Sequence, residues 1–118
     1  RPMYSNPPRS GARIVTEILS DPKLTKDYIE QCAGMADRIN AMRTVLREKL
    51  ESAGSSRPWD HITKQIGMFA YSGLSKDQVL MLRDKHHIYC TLDGRISMAG
   101  VTSGNVDYIA NAVHDVSK

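Results

Sequence analysis

Pro22–Ala53, PKLTKDYIEQCAGMADRINAMRTVLREKLESA, holds the longest periodic pattern in the chain. Leu24, Tyr28, Cys32, Met35, Ile39, Met42, Leu46 and Leu50 recur at spacings of 4, 4, 3, 4, 3, 4 and 4. That period places them on one stripe of an amphipathic helix. Asp21 is positioned as its N-cap, and Pro22 at the first helical position loses nothing by lacking an N–H. Some 31 helical residues at 1.5 Å each reach roughly 46 Å, longer than a globule of this size is wide. Such a helix either dimerises or belongs to a larger body. Gly34 could mark a bend or a close contact. The heptads are too irregular for a coiled coil.

Upstream, Pro7-Pro8 favours extended backbone. Ser10 can cap a short helix with Ile14, Val15, Ile18 and Leu19 on one side. Downstream, Gly54 to Pro58 reads as a loop, and residues 65–72 as a strand. Ser75-Lys76-Asp77-Gln78 matches a capping box opening a helix with Val79, Leu80 and Leu82 that ends near His86. Ile88–Leu92 and Arg95–Ala99 flank Asp93-Gly94, the signature of a two-residue hairpin turn. That turn would pair Leu92 with Arg95, Cys90 with Ser97 and Ile88 with Ala99. Thr102 or Ser103 would cap a last helix with Val106, Ile109, Ala110, Val113 and Val116 inward. The expectation is an α+β fold: a short helix, a long helix, then a mostly antiparallel three-stranded sheet packed by helices.

Composition bounds the function. The 118 residues carry 16 Lys+Arg against 13 Asp+Glu, with 41% hydrophobic and 25% charged residues. These proportions suit a globular domain and not a disordered chain. Two cysteines exclude a disulfide-dense scaffold, and Cys32 and Cys90 read as reduced core thiols. No apolar run reaches the roughly 20 residues a bilayer requires. The start has no signal-peptide core. Its first residue is Arg, not Met, as expected of a processed or trimmed chain. The basic residues are dispersed: Arg38, Arg43 and Arg47 share a helix with Asp37 and Glu48. No nucleic-acid stripe results. His61, His86, His87 and His114 show no metal-ligand spacing, so no metal is expected. Cys32 and Cys90 lack a catalytic setting. The helix start at Thr102-Ser103-Gly104-Asn105 lacks a phosphate-loop pattern.

Arg95 stands out. It follows a turn, beside Ile96 and Met98, which read as buried, and is either exposed at the hairpin end or aimed at an anion. A guanidinium offers a planar fork that suits a carboxylate.

Several strings then carry a resemblance: Arg1 to Pro8 (RPMYSNPP), Gly34 to Ile39 (GMADRI), Trp59 to Ile62 (WDHI), Gln65 to Phe69 (QIGMF) and Asp93 to Val101 (DGRISMAGV). In order and spacing they resemble the eukaryotic aspartate aminotransferase family, of the class I pyridoxal-phosphate-dependent aminotransferases. The resemblance spans residues 1–118 but only the last quarter to third of the family's chain. It implies a fold-type I enzyme in a homodimer with shared active sites. Residues 1–33 would belong to the edge of the large cofactor domain and the start of the linking helix. Residues 34–53 would complete that helix, and residues 54–118 would form the small domain.

The resemblance also implies roles. Arg95 would hold the substrate's α-carboxylate. Arg1 would bind the distal carboxylate in the neighbouring subunit's site, Ser5 and Asn6 would line the shared interface, and Phe69 would cover part of the pocket. Two arginines for two carboxylates select dicarboxylic amino acids and 2-oxo acids, because a monocarboxylic substrate leaves one buried charge unpaired. No catalytic residue falls in this segment. The lysine, aspartate, tyrosine, tryptophan and arginine that hold pyridoxal 5'-phosphate in the family match nothing here, so the segment alone is expected to be inactive. The string before SNPP and the ending resemble the mitochondrial type, which implies a matrix location over a cytoplasmic one. A free-standing, non-catalytic α+β interaction module is the alternative. A seam from Leu24 to Leu50 left uncovered by the chain would argue against that module.

Overall fold

The computed structural model describes residues 8–118. In order, the elements are α1 (Arg9–Ser20), α2 (Pro22–Ser52), α3 (Asp60–Lys64), β1 (Phe69–Tyr71), α4 (Lys76–His86), β2 (Arg95–Ser97), a 3-10 turn (Met98–Gly100) and α5 (Val106–Ser117). The chain divides into two compact units, Arg1–Asp37 and Arg38–Lys118.

In the first unit, the junction of α1 and α2 is built as the sequence implies. The Lys23 N–H donates to Asp21 Oδ1 at 2.9 Å, and the Thr25 hydroxyl donates to the Ile18 carbonyl at 2.8 Å. Asp21 thus satisfies an orphan N–H of the new helix. The expected Ser10 cap is not formed: α1 begins at Arg9 after Pro8, with no side-chain cap. Proline's fixed φ sets the helix entry two residues earlier than the serine would. No residue of α1 is buried. Ile14, Val15, Leu19, Leu24, Tyr28, Ile29 and Met35 are all exposed. Gly34 is exposed in open space, so it makes no close packing contact.

The second unit holds the core. Leu46 and Leu50 of α2 meet Trp59, Ile62, Ala70, Leu74, Val79, Leu82, Met98 and Val101. From α5 come Val106, Ala110, Ala112, Val113 and Val116. Trp59 is fully buried, and its indole N–H donates to Ser55 Oγ at 2.9 Å. The capping box is present in full: Gln78 N–H donates to Ser75 Oγ, and Ser75 N–H to Gln78 Oε1.

The sheet differs from expectation. Among the described residues it has two antiparallel strands, β1 and β2, rather than three. The strand expected over 65–72 shrinks to Phe69–Tyr71, preceded by the short α3. Residues 88–92 form no strand, and the pairings of Cys90 with Ser97 and Ile88 with Ala99 do not occur. The end of α4 explains why. His87 adopts a left-handed conformation (φ 54) and its N–H bonds back to the Arg83 carbonyl at 3.1 Å. Ile88 N–H also turns back to the Leu82 carbonyl, at 3.1 Å. This left-handed cap takes the Ile88 N–H away from any ladder. The Asp-Gly turn is where expected but is one residue longer, so Leu92 does not pair with Arg95. Gly94 N–H closes on the Thr91 carbonyl at 2.9 Å, and the Thr91 N–H bonds the Arg95 carbonyl at 3.3 Å. Gly94 follows at φ 90, the usual route of a three-residue hairpin loop.

At the start of α5, Asn105 stands at the cap position rather than Thr102 or Ser103, and caps nothing with its side chain. Its Oδ1 instead accepts the Thr102 N–H at 2.7 Å, and its Nδ2 donates to the Gly100 carbonyl at 3.0 Å. The amide spans both ends of the turn, which a shorter hydroxyl cannot do.

Candidate functional site

The two short strands form a platform. Register places Phe69 opposite Ser97, Ala70 opposite Ile96 and Tyr71 opposite Arg95. Directly paired residues share a face, so Phe69, Tyr71, Arg95 and Ser97 lie together on one side. All four are exposed, whereas Ala70 on the other side is buried in the core. Arg95 and Phe69, the two site residues the sequence points to in this unit, are therefore diagonal neighbours on one open face. Tyr71 joins them without a sequence motif of its own, although period-2 alternation from Phe69 puts it there. A hollow of about 390 Å³ lined by Arg57, Pro58, His61, Gln65, Tyr71 and Gly73 adjoins Tyr71. Arg1, Ser5 and Asn6 lie outside the described residues.

The guanidinium of Arg95 already holds a carboxylate. Its Nε and Nη2 donate to Asp93 Oδ2 at 3.0 and 2.9 Å. The Thr91 hydroxyl donates to the other oxygen, Asp93 Oδ1. The Thr91 hydroxyl first, and then the Arg95 guanidinium, hold the Asp93 carboxyl below its ordinary range. The pair is well exposed, so it is weak in water and open to exchange. An incoming carboxylate can take the place of Asp93 on the same fork.

The frame beneath this face is buried. Ser72 lies at the end of β1 at 2% exposure, and its N–H and hydroxyl both donate to the Gly94 carbonyl, at 2.9 and 2.6 Å. A Cβ on Gly94 would sit 3.0 Å from Ser72 Oγ and 3.1 Å from the Leu74 carbonyl. Only glycine permits this approach at a positive φ. The residue before Arg95 is thereby tied to the strand that carries Phe69. At the other end, Met98 N–H donates to the Met68 carbonyl at 2.8 Å. Gln65 holds Tyr71 from the side: its Oε1 accepts the Tyr71 N–H at 2.6 Å and its Nε2 donates to the Tyr71 carbonyl at 3.1 Å.

The basic residues of the second unit are largely committed to the protein. Arg38 donates to the Val101 carbonyl, Arg43 to three carbonyls, and Arg57 to the Gly73 carbonyl while lying over the Trp59 ring. Arg47 binds Glu51 and Thr63. Among the described residues no group of three His, Cys, Asp or Glu side chains is placed to hold a metal, and no helix is long and apolar enough to cross a membrane. Cys32 and Cys90 are free and partly buried; Cys90 packs against the core as expected, where burial pushes its thiol up, while Cys32 is not part of that core.

An exposed guanidinium paired with Asp93 thus stands on a small, internally braced sheet. The chain belongs to the family described as aminotransferase class I and II, whose model matches residues 1–113. Among curated relatives, the mitochondrial aspartate aminotransferase of Arabidopsis thaliana is 59% identical over all 118 residues, which make up 27% of that protein. A solved mitochondrial aspartate aminotransferase from Trypanosoma brucei superposes with a TM-score of 0.95 at 46% identity, over 100% of this chain and 31% of that one. The cytoplasmic enzyme of Saccharomyces cerevisiae superposes with a TM-score of 0.93 at 41% identity, over 97% of this chain and 28% of that one. The chain thus spans under a third of the length of these proteins.

Pyridoxal phosphate is the cofactor of class I aminotransferases. It needs a lysine amine that can lose its proton. Here Lys49, Lys64, Lys85 and Lys118 all face aspartates within ion-pair distance, and Asp107 raises the Lys49 ammonium above its usual range. These four lysines are exposed side chains and do not fit an enclosed cofactor site.

Proposed function

We propose that this chain is the C-terminal part of an aspartate aminotransferase, which moves an amino group between L-aspartate and 2-oxoglutarate to give oxaloacetate and L-glutamate. The observation that carries this reading is the Arg95 fork, bound to a carboxylate on the same face as Phe69. In the full protein Arg95 takes the α-carboxylate of the substrate, and Phe69 covers part of the pocket. Arg1 of the neighbouring subunit takes the distal carboxylate, with Ser5 and Asn6 along the shared edge of a homodimer. Pyridoxal phosphate, held by residues of the longer protein, supplies the carbanion stabilisation. The C-terminal part binds, orients and helps to exclude water.

Residues 1–33 then form the edge of the large domain and the start of the linking helix, residues 34–53 complete that helix, and residues 54–118 are the small domain. The exposed apolar stripe from Leu24 to Met35 supports a larger body over a free-standing module. The mitochondrial names of the Arabidopsis and Trypanosoma proteins favour the matrix.

Steady-state kinetics of the full-length protein test the assignment. Arg95→Ala is expected to lower kcat/KM for aspartate and for a monocarboxylic amino acid by a similar factor, on the order of 100-fold or more. Arg1→Ala is expected to harm the dicarboxylic substrate alone. Equal losses on both substrates for Arg1→Ala would remove it from the distal position.

A further inference from the structure

Arg43 is 2% exposed. Among the described residues it has no carboxylate partner. Its Nη1 donates to the Ile62 carbonyl at 3.0 Å, and its Nη2 to the carbonyls of Gly67 and Phe69 at 2.5 and 2.9 Å. Burying a charge without a counter-charge is costly. Three carbonyl acceptors offset part of that cost. Its buried Nε has no partner among the described residues, and burial pushes the guanidinium below its usual range. A planar fork is the one side chain able to reach all three carbonyls.

The tethered segment is otherwise held through its backbone: the β1–β2 pairing fixes Phe69 opposite Ser97, and Met98 N–H donates to the Met68 carbonyl. Between the buried Ile62 and Ala70, the side chains of Ile66, Met68 and Phe69 are exposed, Ile66 at 96%. Gly67 stands at φ 103. Hydrophobic burial does not fix this stretch, although it delivers Phe69 to the platform. The arginine fastens it from beneath at both ends, Ile62 and Phe69.

We infer that Arg43 is a positioning residue for the substrate pocket: its clamp on the Ile62, Gly67 and Phe69 carbonyls sets where Phe69 stands on the β1–β2 face. The inference rests on the reading of Phe69 as a pocket residue.

A double-mutant cycle in the full-length enzyme tests it, with Arg43→Lys, Phe69→Ala and the pair, each assayed for kcat and KM with L-aspartate and for the urea unfolding midpoint. Lysine keeps the charge but cannot span the three carbonyls. Arg43→Lys is expected to raise KM roughly tenfold with a smaller change in kcat, because a displaced wall costs binding. In the Phe69→Ala background the same change should add less than about twofold, since residues acting as a unit are not additive. An equal factor in both backgrounds, or a lowered midpoint with KM unchanged, overturns the inference and leaves Arg43 a structural residue. If Phe69→Ala itself leaves KM unchanged, the reading of Phe69 fails instead, and the inference with it. Should Arg43→Lys not fold, Arg43→Gln takes its place in the cycle. Failure of both to fold overturns the inference in favour of a core role.

Discussion

The two ends of α2 belong to one helix but to different kinds of surroundings. Up to Met35 its apolar stripe is mostly exposed, and α1 beside it in sequence buries nothing. From Ile39 onward the stripe enters a core: Ile39 and Met42 are half-buried, and Leu46 and Leu50 are 2% and 1% exposed. The periodicity is the same in both halves. Amphipathicity therefore reports that a face is to be covered, not what covers it. A 12-residue helix such as α1 is marginal in water unless packed. Its apolar side is explained if the longer protein supplies the cover.

The contrast should be plainest in stability. Trp59→Ala in the second unit is expected to cost about 3–5 kcal/mol in urea unfolding. In the 118-residue chain, Ile14→Ala in the first unit should stay within roughly 0.5 kcal/mol, as for other exposed positions. In the full-length protein the same Ile14→Ala should cost several times more. A loss no larger than in the segment would mean that the first unit is exposed in the whole protein, and the free-standing module would regain ground.

Gly94→Ala should come next. The added Cβ meets Ser72 Oγ and the Leu74 carbonyl while the backbone stays at φ 90. Strain of this kind costs about 1–3 kcal/mol, and the unfolding midpoint should fall accordingly. Because Gly94 precedes Arg95, KM for aspartate in the full-length protein should rise as well. An unchanged midpoint would show that the frame under the platform is loose.

The smallest effect is electrostatic. Asp115 is held below the ordinary aspartate range by Lys85, then by His86. A carboxyl depressed in the folded state contributes stability that is present above its unfolded pKa and is lost as pH falls through the folded value. Asp115→Asn should therefore lower stability slightly near neutrality and flatten its decline below about pH 4. The groups are exposed, so the change should be small. A steeper acid decline in Asp115→Asn would reverse the assignment.

Much of this molecule is legible locally. The 3–4 spacing marks α2, Asp21-Pro22 marks its start, and the Ser75–Gln78 box marks α4, because each depends on residues within a turn of one another. The site is partly legible: alternation from Phe69 puts Tyr71 on its face, and the turn before Arg95 places the fork at a strand end. Arg43 gives a signal that is easy to pass over. It stands four residues after Ile39 and three before Leu46, on the apolar stripe itself, where a charge must find partners.

Strand pairing is not legible in the same way. The Asp-Gly turn points to residues 88–92 as the partner of β2, because that segment is nearest. The αL cap at His87 takes the Ile88 N–H, the contact with β2 stops at Thr91 and Arg95, and Phe69–Tyr71, distant in sequence, forms the ladder with β2. Local chemistry could place helices, caps and turns, since their hydrogen bonds close within a few residues. Which strand meets which, and which cation is buried under the site, depended on contacts between distant residues, where packing and the satisfaction of buried polar groups outweigh nearness along the chain.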